Sequence, residues 1–317
     1  MKKQINTLLF LGLSTVGIGL MTLPVLALET VNLGSGGSDH STIQAAINAA
    51  STGESIDVYE HPSTVDYFES VTINKVLGTI TAKDSFVWEP TSSSSLIVDI
   101  GTSGDVTMDG FFFTGADHVN WGGAINNKGK LVLDYVVIYD CTSNLGGAIY
   151  NAGTGTLRLT GSLIQSCDAS ASGGGIFNAG ELTLDGDSSI YDCTAVNSGG
   201  GIHNFSASSE LTMDYSEIVA CVAGSAGGVG VISGVATIEN SLFQFNEATG
   251  TDGGGLYTSN SNNIYLDNTI FRDNDANGLG GAIFDNVDSN YTNSSYDDGD
   301  IFDNSTPEVY PSDALDL

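Results

Sequence analysis

The sequence predicts an all-β fold: a right-handed parallel β-helix, or β-solenoid, with about three strands per coil and a short N-terminal capping helix. Three observations carry the prediction. A glycine-led block recurs seven times, starting at Gly122, Gly146, Gly173, Gly199, Gly227, Gly253 and Gly280, at intervals of 24, 27, 26, 28, 26 and 27 residues. Two other blocks keep the same beat. None of the repeats carries a 3.6-residue apolar period; each holds short β-like segments bounded by Gly, Asn, Asp and Ser.

The elements follow in chain order. Lys2 and Lys3 precede an apolar run from Leu8 to about Leu20, and Val25-Leu26-Ala27 supplies small residues at cleavage positions. Residues 1–27 therefore read as a secretory signal peptide, which places the product outside the cell, secreted or at the cell surface. No later stretch is apolar for long enough to predict a transmembrane segment. Residues 28–104 read as a cap and the first irregular coils. Within them Thr42 or Ser41 is positioned to cap a helix whose apolar stripe is Ile43, Ala46, Ile47 and Ala50. Such a helix suits the open end of a solenoid, where core and strand edges are otherwise exposed. Ser55 to Tyr59 and Glu69 to Ile73 read as the first strands.

Residues 105–288 are the regular repeats. Each combines the glycine block, an apolar-x-apolar-acid block (Leu131 to Asp134, Leu182 to Asp185, Leu211 to Asp214) and an Ile/Phe-x-x-Cys/Asn block (Ile138 to Cys141, Ile164 to Cys167, Phe243 to Asn246). Stacking coils about 4.8 Å apart buries the inward Ile, Leu and Val of each coil on its neighbours, which one coil alone cannot do. Residues 289–317 form an acidic final coil and tail.

Gly122-Gly123-Ala124-Ile125 and Phe271-x-x-Asn274, alternating in register, resemble the repeats of chlamydial polymorphic membrane proteins, within the wider pectate-lyase-like right-handed β-helix superfamily. Thr42-Ile43-Gln44-Ala45-Ala46-Ile47, followed by Gly53 and Tyr67-x-Glu69, is similar to that superfamily's capped first coil. The resemblance implies the fold over roughly 30–304. For function it implies a wide choice, because this fold hosts lyases, hydrolases, adhesins and passenger domains. Lyases of the superfamily combine Ca²⁺-binding carboxylates with an Arg or Lys base. Beyond the leader this sequence offers Lys75, Lys83, Lys128, Lys130, Arg158 and Arg272, with Arg158 beside Thr160 as the place for such a site.

In a solenoid each repeat position becomes a column. Cys141, Cys167, Cys193 and Cys221 form one, readable as buried free thiols or as two strained disulfides. Asn127, Asn151, Asn178 and Asn204 form an amide ladder. Asp109, Asp134, Asp185, Asp214, Glu239 and Asp267 form an acidic ladder, interrupted by Thr160. It reads either as Asx-type turns or as a row of Ca²⁺ sites, Ca²⁺ being the one candidate cofactor. An outward column reads Asn126, Tyr150, Phe177, His203, Val231, Tyr257 and Phe284. Exposed aromatics in a row are a candidate surface for an extracellular glycan or a surface protein; the other reading is mutual stacking under a covering loop.

Charge narrows the partners. Lys and Arg total 8 against 38 Asp and Glu, a formal net charge of −30. Such a field repels nucleic acid. No phosphate loop, Ser-His-Asp motif, HExxH or CxxC is present. The sequence thus favours an adhesive, structural or binding scaffold, with a polysaccharide lyase or glycoside hydrolase as the alternative.

Overall fold

The structure is a computed structural model that describes residues 29–31, 40–59, 66–259, 263–285, 290–292, 295–296 and 301–303. The leader at 1–27 and most of the tail after 289 lie outside these residues. Among the described strands every pairing is parallel, and the chain winds as a right-handed β-helix. Sheet A has eleven strands, from Glu29–Val31 to Asn290–Thr292; sheet B has ten, from Asp66–Phe68 to Ser295–Tyr296; sheet C has ten, from Val71–Ile73 to Ile301–Asp303.

The three repeated sequence blocks are these three sheets. Alternation puts every second residue inside. Leu131, Leu157, Leu182 and Leu211 of sheet A stack with Ile138, Ile164, Ile190 and Ile218 of sheet B and Ile125, Ile149, Ile176 and Ile202 of sheet C, all at most 1% exposed. Nearer the N-terminus the core is aromatic. Trp88, Phe111 and Phe113 pack with ring centroids 5.3–5.7 Å apart, and the Trp88 indole N–H donates to Glu69 O at 2.8 Å.

The capping helix is Ile43–Ala49. Thr42 Oγ1 accepts the Ala45 N–H at 3.0 Å, and the Glu69 carboxylate accepts the Ile43 and Gln44 N–H groups, both at 2.8 Å. Lys75 Nζ donates to Asn48 O and Ala50 O at the opposite end, both at 3.0 Å, so each end of the helix meets a group of complementary charge. Ile43, Ala46 and Ile47 turn onto the core.

Two features depart from the sequence expectation. First, coils between residues 117 and 276 carry a fourth strand, forming the seven-stranded sheet D from Asp117–Trp121 to Asp275–Ala276. The glycine pair explains it. The first glycine takes a left-handed φ, +70° at Gly173 and Gly199. The second lets sheet D approach backbone to backbone: a Cβ on Gly147 would fall 2.7 Å from Asp168 N and O, and one on Gly174 would run into the Thr194 carbonyl. Sheet D therefore folds as a thin layer whose inner face is Ser143, Ala169, Ala195, Ala223 and Ala248, all buried.

Second, the fifth glycine block starts at Ala226, not Gly227. Ala226 takes φ +53°, and its carbonyl accepts the Gly200 N–H at 3.1 Å. The intervals of 28 and 26 become 27 and 27 (226 − 199 and 253 − 226). Val229 then fills the inward column, Gly230 pairs with His203, and Val231 pairs with Asn204. Val231 is thus buried in the asparagine column rather than being part of the outward one.

Candidate functional site

The outward aromatic column is real but mostly covered. Tyr150 and Phe177 stack at 5.4 Å and 11°, Phe177 and His203 lie 5.2 Å apart, and Tyr257 and Phe284 stack at 5.1 Å and 8°. Phe205 closes over Phe177 and His203 at 5.6 and 5.8 Å. Phe177 and His203 are each 6% exposed, so the expectation of a continuous exposed strip is corrected. The cover comes from a ring two residues further along the chain, and Gly230 breaks the column before Tyr257. Tyr150, Tyr257 and Phe284 stay half-buried, and beside the column Trp121 and Phe205 are 48% and 52% exposed. Burial pushes His203 down to about 4, and its Nδ1 has no hydrogen-bond partner.

The asparagine ladder runs Nδ2 to Oδ1 from Asn127 to Asn151 at 2.8 Å, Asn151 to Asn178 at 2.7 Å and Asn178 to Asn204 at 2.7 Å. Each amide is buried at 0% exposure, and the turn N–H groups of Gly129 and Gly180 donate into it. Thr258 and Asp285 continue the column beyond Val231, with Thr258 Oγ1 donating to Asp285 at 2.6 Å. The cysteines Cys141, Cys167, Cys193 and Cys221 are free and buried at 0% exposure. Burial, followed by its neighbours Cys167 and Cys221, holds the Cys193 thiol well above the ordinary range.

In the acidic ladder two carboxylates are held by neighbouring side chains. Asp185 receives Thr160 Oγ1 at 2.8 Å and the Arg158 guanidinium at 2.6 Å; Asp214 receives Asn240 Nδ2 at 2.8 Å. Asp109 and Asp134 are register neighbours, and burial followed by the Asp134 charge raises Asp109, against the pull of Lys83. Glu239 and Asp267 are likewise neighbours. Among the described residues no three His, Cys, Asp or Glu converge as a metal-holding group. Arg158, the basic residue beside Thr160, is engaged by Asp185.

A concave surface lies elsewhere, on sheet D. It is a shallow groove of about 520 Å³ lined by Asp117, Val119, Thr142, Ser143, Asn144, Asp168, Ala169, Ser170, Thr194 and Val196. Four adjacent strands are in register, giving the column Asp117, Thr142, Asp168, Thr194. Thr142 Oγ1 donates to Asp117 Oδ1 at 2.5 Å, Thr194 Oγ1 donates to Asp168 Oδ1, and Ser170 Oγ donates to Asn144 at 3.2 Å. Val119 and Val196, 68% and 65% exposed, are apolar pads on this face, and Trp121, at the end of the strand that carries Val119, stands against Tyr150. Hydroxyl, amide and carboxylate groups beside an exposed indole can hydrogen-bond and stack on a polyhydroxylated ring.

The sequence reading missed this face because it assigned those segments to turns. The available signal was a small residue recurring once per coil, two positions after each cysteine: Ser143, Ala169, Ala195 and Ala223. No known protein family matches the chain, and no curated protein matches it.

Proposed function

We propose that this protein is an extracellular scaffold, exported through residues 1–27, that binds a glycan along the outer face of sheet D without cleaving it. The observation that carries the reading is the groove itself: a shallow run of hydrogen-bonding side chains over four coils, whose first strand, Asp117–Trp121, also carries the exposed Trp121. The parallel coils make it rigid, so little side-chain or backbone order is lost on binding. Trp121 offers a stacking surface; Asn144, Ser170 and the carboxylates offer partners for hydroxyl groups.

The test is titration of the folded protein with a panel of neutral, acidic and amine-bearing oligosaccharides, reading both binding and new chain ends. Binding without new ends is expected, weakened about tenfold in Trp121→Ala, the loss of one stacked ring contact. New chain ends would replace the scaffold reading with a polysaccharide-degrading one. Absence of binding to every member of the panel would turn the search to a protein partner.

A further inference from the structure

Four consecutive coils each bring one carboxylate to the end of sheet D where its strands begin, and they do not stack. Asp117 and Asp168 stand on the first position of their strands, with Thr142 between them. Asp140 and Asp192 stand two residues earlier, at left-handed turn positions with φ +55° and +53°, and Ser166 occupies the equivalent turn position between them. All four carboxylates are exposed. Ser166 Oγ donates to Asp192 Oδ2 at 3.1 Å, as Thr142 and Thr194 donate to Asp117 and Asp168. Acid and hydroxyl thus alternate in two adjacent columns, offset by one coil. The pattern keeps like charges from sitting directly opposite one another. It leaves each row of carboxylates with a two-coil period of about 10 Å.

The described ion pairs of Lys83, Lys128, Lys130 and Arg158 are made with Asp57, Asp99, Asp105 and Asp185, none of them on this face. Among the described residues the strands of sheet D carry no Lys or Arg, and His118, beside Asp117, has its Nδ1 3.1 Å from Trp121 O. Such a face of alternating carboxylates complements a linear ligand that presents amines alternately to left and right. A β-1,4-linked amino-sugar chain has that form, because successive sugars are flipped by half a turn and two of them span a length close to two coils. We infer that the glycan held by sheet D is a β-1,4-linked chain bearing free amines. Its ammonium groups lie against Asp117, Asp140, Asp168 and Asp192, and its apolar sugar faces rest on Val119 and Val196. This rests on the reading of sheet D as a glycan-binding face and names its substrate class.

Three hexasaccharide probes separate the two claims: β-1,4-glucosamine, its fully N-acetylated form and β-1,4-glucose. They are titrated at about pH 5.5, where sugar amines are protonated. The amine-bearing probe is expected to bind at least about tenfold more tightly than the other two, with the advantage shrinking as salt is raised. Asp117→Asn/Asp168→Asn keeps the oxygen that accepts each threonine hydroxyl and should remove most of that advantage. Glu217→Gln, on sheet B, should not. Equal binding of all three probes, unmoved by the double substitution, overturns the inference and leaves the glycan reading standing. If none of the three binds, the inference falls, and the wider panel of neutral, acidic and amine-bearing oligosaccharides decides the glycan reading. Equally tight binding of poly-L-lysine also overturns the inference, because charge alone would then suffice.

Discussion

Replacing His203 with phenylalanine should abolish a specific part of this protein's acid sensitivity. The imidazole is 6% exposed, sits against Phe177 and Phe205 at 5.2 and 5.8 Å, and has an unpartnered Nδ1. Burial lowers its pKa from 6.5 to about 4. The unfolded chain therefore takes up a proton near pH 6.5, while the folded chain resists until near pH 4. Stability from the neutral ring is full above pH 6.5 and is lost as pH falls toward 4. The whole difference corresponds to about 3 kcal/mol, of which about 2 kcal/mol is lost between pH 7 and 4.5. Phenylalanine, found at the same column position at Phe177 and Phe284, has no proton to take up. Urea unfolding of both proteins at pH 7 and pH 4.5 isolates the effect, since the carboxylates common to both cancel. The wild type should lose about 2 kcal/mol more than His203→Phe over that interval. Parallel losses in the two proteins would refute the burial argument.

Other expectations follow from the same packing. Gly174→Ala should destabilise by several kcal/mol, because its Cβ would meet the Thr194 and Gly200 carbonyls, whereas Gly153→Ala, whose Cβ would lie 3.7 Å from the Ala179 carbonyl, should be within about 1 kcal/mol of wild type; chemical denaturation decides. The four cysteines should resist a thiol reagent in the native protein and all react once it is unfolded; rapid native reaction, or fewer than four thiols on unfolding, would contradict the buried free column. Chelation should leave the thermal midpoint unchanged, because Arg158, Thr160 and Asn240 already satisfy Asp185 and Asp214; a midpoint lowered by chelator and restored by Ca²⁺ would put ions on the acidic ladder.

The sequence by itself determined the coil and its core. Inward positions in a strand alternate with period 2, so Leu131 and Leu133 or Ile125 and Asn127 declare their facing locally, and the repeat carries that facing from coil to coil. The cap was legible for the same reason: Thr42 and the stripe Ile43, Ala46, Ile47 act within one helix. Tertiary structure decided what depended on how closely backbones approach. Sheet D exists because paired glycines let a fourth strand lie against the turn, a contact between coils that no local period records. Ala226, not Gly227, sets its coil's register because a left-handed turn position tolerated a methyl group there, which moved Val231 inward and left Gly230 in the aromatic column. The burial of Phe177 and His203 under Phe205, and the offset rows of Asp117, Asp140, Asp168 and Asp192, likewise come from the three-dimensional stacking of segments 24–28 residues apart. Distance across the stack, not pattern along the chain, placed the surface that faces a ligand.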